Sequence, residues 1–139
     1  MADDDAADRE LTQEAWDASK LANPLRFVEN GRQLLDYLRH QGKFSDPASA
    51  PRPGIILLDL NMPVMDGREA LKEIKRDEHL RRIPVVIMTT SEAEQDIVKS
   101  YDLGAAAYVI KPVTFERMTD VVKTIEHFWV EIVKLAPAK

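Results

Sequence analysis

The sequence predicts an α/β fold in which a parallel sheet is covered by helices on both faces, and three observations predict it. Short apolar runs alternate with longer segments of helical periodicity along most of the chain. Three of the runs, Ile55 to Asp59, Pro84 to Met88 and Ala106 to Ile110, are almost wholly apolar, as strands buried on both faces are. Several runs end on a residue that carries charge or a hydroxyl, and in doubly wound sheets chemistry collects at the carboxyl ends of strands.

The elements follow in order. Ala7, Leu11, Ala15 and Ala18 fall on one helical stripe, and Leu25 to Val28 reads as a strand. Leu34, Leu35 and Leu38 mark a second helix. Pro-rich Asp46 to Gly54 interrupts the alternation and reads as an exposed loop. After the strand at Ile55, Pro63 and Gly67 shape a turn into a helix marked by Ala70, Leu71 and Ile74. After the strand at Pro84, Ala93, Ile97 and Tyr101 define the next helix. The last helix, about Thr114 to Lys134, carries Met118, Val121, Val122, Ile125, Phe128, Trp129, Ile132 and Val133, a broader apolar face than one side of a sheet requires. The βα alternation implies right-handed crossovers.

Length and charge bound the function. The 139 residues fit one domain, 1–139, with a single core. With 45% hydrophobic and 31% charged residues the chain is globular, not disordered. Nineteen Lys and Arg against 24 Asp and Glu leave a net charge of −5, which repels a phosphate backbone and argues against nucleic-acid binding. Without cysteine there is neither a disulfide nor a thiolate metal site. No apolar stretch is long enough for a bilayer, and no signal segment is visible, so the expected address is the cytoplasm. The histidines His40, His79 and His127 show no ligand spacing, and no nucleotide-binding glycine pattern occurs.

The residues at the strand ends carry the chemistry. Asp3, Asp4 and Asp5 follow a stub of Met1 and Ala2, Asp59 follows an apolar run, Thr90 follows VVIMT, and Lys111 follows AYVI. Carboxylates held close together repel unless a cation neutralises them. A hard divalent ion such as Mg²⁺ takes one or two carboxylates and keeps sites for water and phosphate oxygens. An ammonium and a hydroxyl then complete a cradle for a phosphoryl group. Each residue alone has an ordinary explanation as a helix cap or loop start; their joint placement points to a site.

The segments IILLDLNMPVMDG (Ile55 to Gly67), VVIMTTSE (Val85 to Glu92) and AYVIKP (Ala107 to Pro112) resemble the receiver domains of bacterial two-component response regulators, over nearly the whole chain. That resemblance implies a flavodoxin-like doubly wound sheet of five parallel strands in the order 2-1-3-4-5. It implies Asp59 as phosphoacceptor, Asp3 and Asp4 with the backbone carbonyl of Asn61 as Mg²⁺ ligands, and Lys111 as the phosphoryl-pairing ammonium. Thr90 would be the switch hydroxyl and Tyr108 the switch aromatic, with a cis bond expected at Lys111–Pro112. A histidine kinase would donate the phosphoryl group. The face from Ser91 to Tyr101, with Tyr108 and the last helix, would then rearrange to meet a downstream protein, since no output domain follows.

The Pro-rich loop and the segment IEHFWVEIVKLAP further resemble small regulators that accompany bacterial phytochromes, which implies a phytochrome-type kinase as the upstream partner. Phe128, Trp129, Ile132 and Val133 are a candidate homodimer contact. Two other readings compete. One is a metal-dependent aspartyl-phosphate hydrolase of the haloacid dehalogenase type, which wants an acid where Asn61 stands. The other is a receiver-like docking module that accepts no phosphoryl group.

The N-terminus departs from the pattern. A central strand is expected before the acidic run, yet only Met1 and Ala2 precede it. The expectation is a longer natural chain, or an incomplete hydrogen-bond ladder at the sheet centre in which Asp5 replaces Asp3 or Asp4.

Overall fold

The computed structural model describes residues 1–135, and side-chain surroundings for residues 1–127. The elements are α1 (Ala6–Ala18), α2 (Gly31–Arg39), β1 (Ile56–Leu58), α3 (Gly67–Arg76), β2 (Val85–Thr89), α4 (Glu94–Asp102), β3 (Ala107–Ile110) and α5 (Phe115–Leu135). The three strands pair in parallel in the order β1-β2-β3. β1 and β2 are buried along their whole length because both faces are covered by helices, whereas β3, at the edge of the sheet, is half-buried and ends on exposed Ile110, against the expectation of full cover.

Two further segments enter the sheet through single residues. Ala2 bridges Val28 on one side and Leu58 on the other, both in parallel. The order Val28, Ala2, β1, β2, β3 therefore reproduces the expected 2-1-3-4-5 sequence of segments. The expected strand at Leu25 to Val28 is reduced to that bridge, because the chain facing it supplies only Met1 to Asp3.

Within those three residues the ladder is complete. The Met1 amine donates to Arg26 O at 2.7 Å, Val28 N–H donates to Met1 O at 2.9 Å, and Asp3 N–H donates to Val28 O at 3.1 Å. Toward β1, Ala2 N–H donates to Leu57 O at 2.8 Å and Asp59 N–H to Ala2 O at 3.0 Å. The stub thus holds the acidic run in the sheet. Beyond Met1 the ladder stops, and a cavity of about 400 Å³ opens between residues 24–28 and 53–57, lined by Leu25, Phe27, Ile55 and Leu57 among others.

Two apolar layers close over the sheet. On one face, Ala15 and Trp16 of α1 and Met118, Val122 and Ile125 of α5 pack on Leu57, Val86 and Met88. On the other, Leu34, Leu35 and Leu38 of α2 and Ala70, Leu71 and Ile74 of α3 pack on Ile56, Leu58, Val85 and Ile87. The α1 stripe is rotated from the expected one: Thr12, Ala15 and Trp16 are buried while Ala7 and Ala18 are exposed. The large Trp16 ring sets this rotation, with its Nε1–H donating to Asn23 O at 2.7 Å.

The segment Asp46 to Gly54 is not wholly exposed. It contains a single 3₁₀ turn, Pro47–Ser49, capped by Asp46, and it buries Ala50 completely. Tyr37 Oη–H donates to Pro51 O at 2.9 Å, and His40 Nε2 lies 2.9 Å from Ala50 O. Side chains from α2 and its end satisfy the loop carbonyls, so the prolines do not free it from the core. The side chains of Phe128, Trp129, Ile132 and Val133, the candidate dimer contact, lie outside the described residues.

Candidate functional site

Strand parity and helix capping build the site. Met1, Leu57 and Val109 pack in the layer beneath α1 and α5. Asp3, Asp59 and Lys111 each follow one of them by two residues, so all three side chains emerge on that side at the carboxyl edge. Backbone bonds fix their positions: Asp3 N–H to Val28 O, Asp59 N–H to Ala2 O, and Lys111 N–H to Thr89 O at 2.7 Å. Asp3, Asp59 and Lys111 are all buried. The Lys111–Pro112 bond is trans, as every described peptide bond is, against the cis expectation. Trans is the lower-energy form of an X–Pro bond, and here Lys111 N–H simply continues the ladder.

Lys111 is the hub. Its Nζ lies 2.8 Å from Asp3 Oδ2, 2.8 Å from Asp8 Oδ2 and 3.1 Å from Asp59 Oδ2. Burial alone would depress the ammonium, but hydrogen bonds and charge from Asp3, Asp8 and Asp59 more than offset it, and its pKa is raised. Asp3 shifts upward because burial penalises its charge, a cost that Lys111 and the Asp5 N–H only partly relieve.

Asp3, Asp4 and Asp59 each offer one carboxylate oxygen within 4.8 Å of one another, which suits a divalent cation. Asp3 Oδ2 supplies a second indication of fit. It is fully buried, and the Lys111 ammonium 2.8 Å away is the group that meets it. A buried lone pair in that state is a ready ligand. Asp5 is not part of the cluster. Its carboxylate caps α1, accepting from Ala7 N–H at 2.8 Å and Asp8 N–H at 3.2 Å, so it does not replace Asp3 or Asp4. Asn61 sits exposed in the following loop, its N–H directed at Asp59 Oδ1 at 3.4 Å.

The hydroxyl expected at Thr90 adjoins a second one at Thr89. Thr90 lies one residue beyond β2 and is exposed, whereas Thr89 ends the strand and is fully buried. Ile87 pairs with Tyr108, so Thr89, two residues on, emerges on the Tyr108 side of the sheet. Tyr108 is half-buried, and its hydroxyl donates to Ser91 O at 2.9 Å, tying β3 to the loop after β2. That loop is also tied to α3: Ser91 Oγ–H donates to Asp96 Oδ2 at 2.7 Å, and Arg68 Nη2 lies 2.9 Å from Asp96 Oδ1. Ser91 and Arg68 together hold the Asp96 carboxyl below the usual range.

Asp8 is the site residue that sequence reasoning missed. An acid in the first turn of a helix has an ordinary role in complementing the helix dipole, which hides it. The available signal was spacing: once Asp5 is the cap, Asp8 lies one turn further along, above the same sheet edge as Asp3.

This arrangement, a carboxylate cluster and one ammonium at the carboxyl edge of a doubly wound parallel sheet, defines an acidic cation- and phosphoryl-handling α/β domain. The chain belongs to the response regulator receiver domain family, whose model matches residues 1–123. It is 40% identical over 138 residues to response regulator Rcp1 of Synechocystis sp., covering 99% of this chain and 92% of that protein. The solved structure of phosphorylated cyanobacterial phytochrome response regulator RcpA aligns with a TM-score of 0.83 at 44% identity, covering 93% of this chain and 90% of RcpA. The Mn²⁺-bound form of Rcp1 aligns with a TM-score of 0.82 at 40% identity, covering 94% and 91%. The chain is a receiver-type signalling protein with a flavodoxin-like fold. The hydrolase and docking-module alternatives are not favoured by this membership. Among the described residues no helix is long and apolar enough to cross a membrane.

Proposed function

We propose that the chain, as one domain over residues 1–139, takes a phosphoryl group from a phytochrome-type histidine kinase onto Asp59. The observation that carries this reading is the buried Asp59 carboxylate held 3.1 Å from Lys111 Nζ beside Asp3 and Asp4. An Asp59 carboxylate oxygen attacks the phosphorus of a phosphohistidine. The new O–P bond forms as the P–N bond breaks, and the imidazole leaves with its electron pair. The product is an acyl phosphate, which water cleaves slowly in the protein's own limited turnover.

Lys111 pairs with a phosphoryl oxygen through a charge-assisted hydrogen bond. Asp3, Asp4, Asp59 and the Asn61 carbonyl would hold Mg²⁺, which would supply positive charge against the negative charge on the transferred oxygens. The Mn²⁺ form of Rcp1 supports a divalent site in a close relative. A threonine hydroxyl at the end of β2, Thr89 on the Tyr108 side or the neighbouring Thr90, donates to the phosphoryl group and draws its loop inward. Tyr108, released from Ser91, follows it. The surface of residues 91–101, Tyr108 and α5 then changes for a downstream protein or a second copy of the chain, all in the cytoplasm.

The phytochrome partner is supported by the likeness to RcpA. A phosphotransfer race tests it: purified kinases, each loaded with labelled phosphate, compete for the chain. Fastest transfer from a phytochrome-type kinase supports the assignment, and preference for an unrelated kinase with a negligible phytochrome rate contradicts it.

A further inference from the structure

We infer that Asp8 is a positioning residue that receives the Lys111 ammonium when a divalent cation enters the acidic pocket. The inference rests on the cation site of the receiver reading and adds to it a residue outside the ligand set.

Lys111 Nζ touches three carboxylates: Asp3 at 2.8 Å, Asp59 at 3.1 Å and Asp8 at 2.8 Å. Two of the three, Asp3 and Asp59, also belong to the oxygen cluster that suits a cation. An ammonium and a divalent cation repel, and both claim the buried Asp3 carboxylate. For the cation to bind, Lys111 must give up part of its contact with Asp3 and Asp59 without losing a partner, since an unpaired buried ammonium is costly. Asp8 lies outside the cluster and offers that partner.

Asp8 is suited to the task by its anchorage. It stands in the first turn of α1, where the Asp5 cap accepts its N–H at 3.2 Å and Thr12 Oγ1–H donates to its carbonyl at 2.8 Å. Its side chain is 26% exposed, against 0% for Asp3, so water reaches it. Lys111 can pivot about its buried stem toward a fixed, solvated carboxylate and stay aimed at Asp59. A first-turn acid that only complements the helix dipole would show no energetic link to Lys111.

The test is a double-mutant cycle on cation affinity in the full chain, with Mg²⁺ followed by calorimetry and Mn²⁺ by electron paramagnetic resonance. Asp8→Asn in the otherwise native chain weakens binding about tenfold, as loss of an outer-shell partner does. In the Lys111→Met background the same change alters affinity less than about twofold, because the ammonium it serves is gone. Asp8→Glu keeps affinity near the native value. Equal weakening in both backgrounds marks a general field effect and overturns the inference, as does no weakening in the native background.

Nitrogen-15 spectra of the Lys111 ammonium supply a readout should Lys111→Met fail to fold. In the native chain the signal stays protected after cation saturation, whereas in Asp8→Asn it exchanges rapidly with water. Identical protection in the two overturns the inference. A native chain that binds no divalent ion overturns the cation reading and this one together. Coupling without phosphorylation of Asp59 overturns the phosphoacceptor reading alone.

Discussion

Gly67 stands against the backbone of Asp59: a Cβ added to Gly67 would lie 2.0 Å from the Asp59 carbonyl oxygen. Gly67 N–H also donates to Leu60 O at 2.9 Å, so the first residue of α3 is docked on the strand end that carries the candidate phosphoacceptor. No flexible side chain can yield there, because the obstructing atom is backbone. Gly67→Ala therefore destabilises the fold by about 3 kcal/mol, the upper part of the range for overpacking, and urea denaturation measures it. It also slows phosphorylation of Asp59 in molecules that remain folded.

The amine of Met1 occupies a position where a central strand has a peptide N–H. Burial lowers its pKa from 8.0 to about 5, with the Asp3 charge opposing the shift. The unfolded amine binds its proton below pH 8 and the folded one only below about 5, so stability is lost as pH falls through that window. Thermal melts of a 139-residue chain with a free Met1 amine show this loss between pH 8 and 5, and Nα-acetylation removes the amine's part of it.

The ladder beyond Met1 is open on both sides. Leu57 O accepts from Ala2, so Leu57 N–H points the same way, and among the described residues no backbone carbonyl meets it. An engineered extension of three β-branched apolar residues before Met1 runs between residues 24–28 and 53–57 and fills the cavity there. The extended chain melts at a higher temperature than the 139-residue chain, and hydrogen exchange at Leu57 N–H slows.

Asp3 links stability to the cation. Its folded pKa is raised above 3.8, so in metal-free protein stability declines as pH rises from about 3.8 to the folded value and stays lower above it. Asp3→Asn removes that decline. Divalent cation at a hundred times its dissociation constant stabilises the native chain by about 2.7 kcal/mol, and the stabilisation disappears in Asp3→Asn. Melts with and without chelator give both results.

The two threonines separate cleanly. Thr89→Ala lowers affinity for beryllium fluoride, a phosphoryl mimic, by about tenfold, the loss of one charge-assisted hydrogen bond. Thr90→Ala changes it little where Thr89 is the donor, and the two effects exchange where Thr90 is. Fluorine magnetic resonance of the bound adduct reads the difference.

Much of this was legible in the sequence for a physical reason. Strands covered on both faces must be apolar throughout, so Ile56–Leu58, Val85–Thr89 and Ala107–Ile110 announce themselves, and the residues that end them must face the sheet edge. Asp59 and Lys111 were visible for that reason. Register within a pair of identical residues was not: Thr89 and Thr90 differ only in which face of the sheet they meet. Asp8 was hidden because a first-turn acid already has a role on its own helix. The bonding of Met1 to Asp3 was hidden because three residues lying between two neighbours can bond both, a matter of tertiary placement that no local pattern carries.

The central claim is that Asp59 becomes an acyl phosphate. Intact-protein mass spectrometry after incubation with acetyl phosphate and Mg²⁺, with the modified residue mapped by peptide analysis, tests it most directly. One added phosphoryl group on Asp59, absent in Asp59→Asn, is the expected result. Equal uptake by Asp59→Asn, or a phosphoryl group mapped elsewhere, would contradict it.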